Sequence, residues 1–240
     1  MTLKEQFIFN FIEDSRWKHL LKGLGNTLTI AFFALLIGVV IGVVVAIIRS
    51  TYDKNRDSLA RSSNILNYYA FACLNMICKI YLTVIRGTPV VVQLLIAYFI
   101  IFASSTNGIM VASIAFGINS GAYVAEILRG GIMSIDNGQF EAGRSLGFNY
   151  IHTMIYIIIP QVFKTVLPTL LNEFIALLKE TSVAGYVGII DLTKAGDIIR
   201  GRTFSAFMPL FTVAIVYLAM VMLLTWIVGR LERRLRKSER

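Results

Sequence analysis

Glu141, Ala142 and Gly143, followed after three residues by Gly147, set a carboxylate, two small residues and a chain-reversing glycine within two helical turns. The segment from Ser134 to Gly147 around them reads as a short helix with mixed faces, ended by Gly147, and it either docks into a groove on another protein or is a plain connecting loop. Asn172 and Glu173 form a second polar pair, inside an apolar stretch from Ile151 to Leu178 that also holds Pro160, Lys164 and Pro168. Ionisable groups at membrane depth face a bundle interior or a water-filled path, so this pair either meets the ammonium of a substrate or bonds neighbouring helices. Thr181 and Ser182 follow and either line a gate or end the helix. Arg86-Gly87-Thr88-Pro89 joins a cation to a helix break, where the Arg can satisfy loose carbonyls or meet a partner subunit. Ser120 in Gly117-Ile-Asn-Ser-Gly121, together with His152, raises an intramembrane hydrolase. A nucleophile needs its base within hydrogen-bond reach, and helix rise separates these two by more than about 10 Å. Cys73 and Cys78 have no His or further Cys at ligand spacing and read as free thiols.

The elements that must hold these residues are membrane helices. The chain has 240 residues, 56% hydrophobic and 15% charged, with a mean hydropathy of +0.71. Soluble domains run at about 45–50% apolar and about 25% charged, which excludes a soluble enzyme and a disordered chain. The net charge of +9 then speaks of membrane topology and not of nucleic acid. A hydrocarbon core of about 30 Å takes about 20 helical residues. Long apolar runs, with the uncharged stretch 90–125 split at the turn-like cluster Ala103 to Gly108, place spans at 27–48, 84–103, 108–128, 151–178 and 208–228. The expected fold is an all-α membrane protein of about five transmembrane helices, with an extracytoplasmic segment 1–23, a membrane domain 24–229 and a basic cytoplasmic tail 230–240. Gly38-x-x-x-Gly42 admits close approach of another helix or merely tolerates membrane burial. Residues 64–82, with Lys79 inside, are either an interfacial helix or an extended start of the second span. Arg49, Lys54, Arg56, Arg61, Arg129, Arg144 and the tail (Arg230, Arg233, Arg234, Arg236, Lys237, Arg240) favour an outside N-terminus and a cytoplasmic C-terminus. Lys194, Arg200 and Arg202 weigh against it, partly balanced by Asp191 and Asp197.

The loop between the third and fourth spans resembles the cytoplasmic pattern of permease subunits of binding-protein-dependent ABC importers: E-A-A, three residues, G, nine residues, I, any residue, L-P. Here Glu141-Ala142-Gly143, Gly147 and Ile157-Ile158-Ile159-Pro160 keep that spacing, with Gly143 for the third Ala and Ile159 for the Leu. Tyr81 to Gln93, Ser120 to Gly130 and Asn172 to Ser182 are similar to polar amino acid permeases of the histidine, glutamine and arginine type. The resemblance runs from about Leu24 to about Arg230.

It implies a type I ABC importer permease fold in a bacterial inner membrane. It also implies a second permease subunit, itself or a paralogue, an extracytoplasmic substrate-binding protein, a polar amino acid as cargo, and separate ATP-binding subunits that hold ATP and Mg. The chain itself shows no G-x-x-x-x-G-K-[ST] phosphate loop, so no cofactor and no ATPase site are expected in it. Glu141, Ala142, Gly143, Gly147 and Arg86 are then expected to couple to the ATPase, and Asn172, Glu173, Thr181 and Ser182 to line the substrate pathway. A self-contained carrier or channel is the competing function; it would need no docking helix.

Overall fold

A run of Leu, Ile, Val and Ala in lipid can satisfy its peptide groups only within its own helix, and helix dominates this chain. The computed structural model describes residues 2–60 and 65–237, with side chains in 2–54 and 68–234. In order the helices are α1 (Leu3–Phe7), α2 (Trp17–Ala60), α3 (Ile65–Gly87), α4 (Val90–Ile96), α5 (Gly108–Met133), α6 (Asn137–Ser145), α7 (Tyr150–Thr153), α8 (Ile159–Glu180), α9 (Leu192–Thr203) and α10 (Phe207–Lys237). Wider π-helical turns follow α1, α4 and α7, and a 3-10 turn, Thr181–Val187, extends α8. Five stretches are long and apolar enough to cross a membrane: Trp17–Lys54, Tyr68–Gly87, Gly108–Met133, Tyr150–Val187 and Phe207–Arg234. This is the all-α, five-span architecture expected above.

Its spine is the contact between α2 and α5, which run side by side in the same direction. A Cβ on Gly42 would lie 2.7 Å from Val124 Cβ, one on Gly38 3.1 Å from Ser120 Cβ, and one on Gly117 2.7 Å from Ile37 Cβ. Gly38-x-x-x-Gly42 therefore serves packing within the chain, against Gly117-x-x-x-Gly121. Beside this seam Ile30, Leu94, Phe116 and Leu177 are fully buried in one cluster. α8 runs antiparallel to α5, with Glu173 at Ser120 and Val162 and Val166 against Gly131.

Prolines set the irregularities. Pro160 has no N–H, and its ring crowds the carbonyl four residues back; the π-helical turn Met154–Ile158 sits just before it, where a wider turn makes room. Pro168 lies inside α8.

Three boundaries differ from expectation. The second span is not a straight helix over 84–103: Thr88 leaves the helix, and Pro89, extended at ψ 136°, opens α4. Proline both lacks the donor and pushes its predecessor out of helical geometry. The candidate span is α3, which absorbs the segment expected at 64–82, while Val90–Ile101 is a shorter apolar helix. α4 then doubles back along α5, with Gln93 at Asn119 and Tyr98 beside Gly108. α2 runs over Trp17–Ala60, beyond the span expected at 27–48, and α10 over Phe207–Lys237, beyond that expected at 208–228, because Lys and Arg continue a helix as readily as Leu does. Arg56, Arg61, Arg236, Lys237 and Arg240 fall outside the described side chains.

Gly42→Ala is expected to destabilise the chain by about 1–3 kcal/mol through overpacking against Val124. Gly25→Ala, where a Cβ meets nothing within 4 Å, is expected to stabilise it by up to about 1 kcal/mol. Thermal unfolding of the two variants in detergent measures the contrast.

Candidate functional site

α6 begins where Asp136 accepts the N–H of Gly138 at 2.6 Å, a short capping contact that fixes the turn out of α5. It ends in a Schellman motif: Phe148 N–H donates to Gly143 O at 3.0 Å and Gly147 N–H to Arg144 O at 2.9 Å. The motif needs a left-handed residue, and Gly147 supplies it at φ +82°. Gly143 is buried against the start of the fourth span, where a Cβ would lie 2.7 Å from Thr153 Oγ1. Thr153 is itself held by Asn149 O at 3.0 Å. Phe140 is buried with Ile132, Met154 and Ile158 and stacks on Tyr150. Lys54 of α2 lies over the Phe140 ring at 4.4 Å and donates to Asn137 Oδ1 at 2.6 Å. One face of α6 is thus bolted to α2, α7 and α8. The other shows Glu141, Ala142, Arg144 and Ser145, with Leu146 exposed beyond them.

At the same end of the bundle a charge network joins three helices. Glu126 of α5 receives Arg49 of α2 at 3.2 Å and Arg129 at 3.4 Å, with Arg86 of α3 at 3.9 Å. Arg129 continues to Asp53 at 3.2 Å, next to the Lys54 that holds α6. Arg86 thus sits at the α3–α4 elbow and reaches α6 only through this chain. Glu126 stands out in the sequence only weakly, because two of its three arginine partners come from α2 and α3; opposite charges ending the apolar runs at Arg49 and Glu126 were the available signal.

A polar layer lies about midway along α5. Ser120 donates to Glu173 Oε1 at 3.0 Å and Asn119 donates to Gln93 Oε1 at 2.9 Å. Gln93 in turn donates to Ile85 O at 2.7 Å and to Thr88 O at 3.1 Å, across the Pro89 break. Gln93 and Asn119 belong to this polar layer, and periodicity alone does not single them out. The expected pathway residues are not all brought together: Asn172 is exposed on another face of α8, and Thr181 is buried, donating to Leu178 O at 2.8 Å. Ser182 lines an open cavity of about 400 Å³ with Tyr186, Lys194, Asp197 and Arg200. Ser120 and His152 do not meet. His152 stacks with Tyr156 and lies beside Phe148, at the α6 end.

Residues 58–237 match the model of the binding-protein-dependent transport system inner membrane component. The chain belongs to this family. A putative glutamine transport system permease protein of Rickettsia felis is 33% identical over 90% of this chain and 92% of its own. The arginine transport system permease of Bacillus subtilis is 33% identical over 92% and 94%. A crystal structure of an amino acid ABC transporter with histidines matches at TM-score 0.78 and 36% identity, covering 93% of this chain and 98% of that one. An inward-facing methionine ABC transporter, 21% identical with TM-score 0.71 over 90% and 95%, shares the fold. The chain is therefore an inner-membrane ABC importer permease, a transporter component and not an enzyme, of a family that works with an ATP-binding subunit and a substrate-binding protein.

At the end of the permease opposite α6, α9 seals the bundle. Gly23 lets Asp191 O approach to 2.6 Å of where a Cβ would stand, Thr27 Oγ1 accepts Leu192 N–H at 3.1 Å, and Asn26 donates to Ile190 O at 2.8 Å. The fully buried Asp191 carboxylate caps α9 by accepting from Thr193 and Lys194 N–H. Burial pushes this carboxyl above its usual range, against the pull of those N–H groups. By contrast hydrogen bonds from Arg200 and Lys194 hold the half-buried Asp197 below the usual range. Asp191→Ala is expected to cost about 1–2 kcal/mol through the lost cap, and Asp191→Asn, which keeps the acceptor without the buried charge, less. Since a raised pKa stabilises the fold most at low pH and that share is lost as pH rises through it, wild type gains on the Asn variant as pH falls. Unfolding midpoints of the three proteins across pH test both statements.

Proposed function

We propose that the chain is the membrane-spanning permease subunit of an ATP-driven importer of a polar amino acid, with α6 as the helix that couples it to separate ATP-binding subunits. The observation that supports this reading best is the construction of α6: one face fixed to three helices, the other open, and both ends set by capping. A helix held in this way moves only together with its supports, so displacement by closing ATPase subunits becomes a rigid-body shift of the bundle. Glu141, Ala142, Gly143 and Gly147 are its docking residues, and Arg86 relays from the elbow through Glu126. The excess of Arg49, Lys54, Arg129, Arg144, Arg230, Arg233 and Arg234 at or near this end supports a cytoplasmic α6 and C-terminus, with the N-terminus outside. Residues 24–229 then form the transport domain between an outer segment 1–23 and a cytoplasmic tail 230–240.

The remaining assignments follow from that orientation. ATP and Mg belong to the partner ATP-binding subunit. A second permease, a copy or paralogue, completes the pathway; the α9 end, with Ser182 and the cavity at Tyr186, faces the extracytoplasmic binding protein. Glu173, with Ser120, Asn119 and Gln93, forms the polar step of the pathway, its carboxylate suited to an α-ammonium. The docking helix disfavours a self-contained carrier or channel.

The experiment is ATP-dependent uptake of labelled arginine, histidine, glutamine and lysine into vesicles holding this chain, its ATP-binding subunit and a binding protein. Glu141→Lys is expected to abolish uptake of the one transported amino acid, with folding and membrane insertion unchanged. Uptake without the ATPase subunit, or untouched by Glu141→Lys, would sink the coupling assignment. Glu173→Ala is expected to lower uptake at least ten-fold while leaving ATPase assembly intact; full activity in this variant removes Glu173 from the pathway.

A further inference from the structure

Against the elbow between α3 and α4 lies an open cavity of about 410 Å³, lined among others by Arg49, Lys79, Thr83, Arg86 and Glu126. Three cations there face one carboxylate, and that carboxylate is shared with Arg129. Arg86 reaches it only at 3.9 Å and stays 47% exposed. Arg49 is 14% exposed, yet its Nε is buried without a hydrogen-bond partner. Lys79 is exposed, one helical turn from Thr83. Such a pocket holds donors that Glu126 alone does not use, and it suits an anion with several acceptor oxygens.

Its height and its walls say which anion. Arg49 closes the apolar run 27–48, and Glu126 closes the uncharged run 90–125, so the pocket stands at the edge of the hydrocarbon. Beside it α3 exposes Met76, Ile77, Ile80 and Val84, each by more than half. An anion at that height, next to an uncovered apolar helix face, is the head of a lipid. We propose that Arg49, Lys79 and Arg86 form a headgroup site for an anionic phospholipid, whose phosphodiester lies between α2, α3 and α5 and whose acyl chains lie on the outer face of α3. Basic pockets between transmembrane helices take headgroups in this way. The lipid bridges the three helices at the elbow and supplies the oxygens that the shared carboxylate lacks. The site stands independently of the coupling role given to α6.

The test uses the full-length permease assembled with its ATP-binding subunit in neutral detergent, titrated with short-chain phosphatidylglycerol, phosphatidylcholine and inorganic phosphate, with bound molecules counted by native mass spectrometry. Retained phosphatidylglycerol is expected, weakened roughly five-fold by Lys79→Gln and more by Thr83→Glu, which sets a carboxylate in the cavity. Both positions are exposed, and unchanged lipid-free unfolding midpoints establish that the variants fold. Arg230→Gln, which does not line the cavity, is expected to bind as wild type does. Equal retention of phosphatidylcholine, or unchanged affinity in both variants, overturns the site. Displacement by phosphate at lipid-like concentrations makes it a free-anion site instead. Failure of the assembly to bind phosphatidylglycerol means that protein covers the pocket, and also overturns the proposal.

Discussion

The rest of the structure depends on how closely the α2 and α5 backbones approach. In lipid no hydrophobic force draws one apolar helix to another, so association rests on packing and on the few polar contacts that close approach allows. Gly38 and Gly42 on one side, and Gly117 and Gly121 on the other, remove the side chains that would hold the two apart. Everything else is hung on this pair. α3 packs across it through Cys78 and Leu82 against Val45, Ala122 and Ala125, and α8 joins it where Ser120, which faces Gly38 of α2, donates to Glu173. Because α2 and α5 run in the same direction, the residues that end their apolar stretches arrive at one level, which is why Arg49 meets Glu126 and Asp53 meets Arg129.

A membrane helix that breaks must re-satisfy the peptide groups it frees, and the break at Thr88-Pro89 shows how polar side chains are enlisted. Gln93 turns its amide back to Ile85 O and Thr88 O while its carbonyl oxygen accepts from Asn119. Asn119 is adjacent to Ser120, and Ser120 holds Glu173. The helix break, the polar layer and the ionisable residue of α8 are thus parts of one network, not separate curiosities. A structural need, closing the ladder around a proline, has placed the polar groups that the proposed pathway uses.

How much of this was legible in the chain follows from where each signal lies. Spans bounded by charge, such as 27–48, and the short helix α6 with Gly147 at its end are local patterns and could be read directly. The second span could not, because continuous apolar character from Val84 to Ala103 hides a proline whose effect depends on whether the helix bends or stops. The pairings of Glu126 and Gln93 stayed hidden for another reason: their partners are 77 and 26 residues away, and pairing at that separation exists only once the helices are docked. Asn172 and Glu173 look like a pair in sequence, yet successive helical residues point about 100° apart, so only Glu173 can meet α5. Thr181 leaves a gate and a helix end both open in sequence, and its hydroxyl bonds Leu178 O at its own helix end.

The attachments of α6 carry a consequence for the proposed coupling. Asn137 is tied to α2 through Lys54, and Gly143 abuts Thr153 at the start of the fourth span. A push on the exposed face therefore acts on α2 and on the α7–α8 unit together, while α5 is held to α2 by the glycine seam. The seam is tightly packed and has no room to slide, since a missing Cβ already separates its walls. The contact between α5 and α8 varies along its length: toward the α6 end Gly131 admits Val162 and Val166 as closely as the seam glycines admit their partners, whereas midway lies the Ser120–Glu173 hydrogen bond, and interhelical hydrogen bonds in membranes contribute only about 0.6 kcal/mol on average. Force entering at α6 therefore carries α8 along with α5 at that end, and the polar midpoint of the α5–α8 contact is where the two can part while the α2–α5 seam stays closed. The polar step of the proposed pathway lies at that midpoint, so parting there is what exposes Glu173.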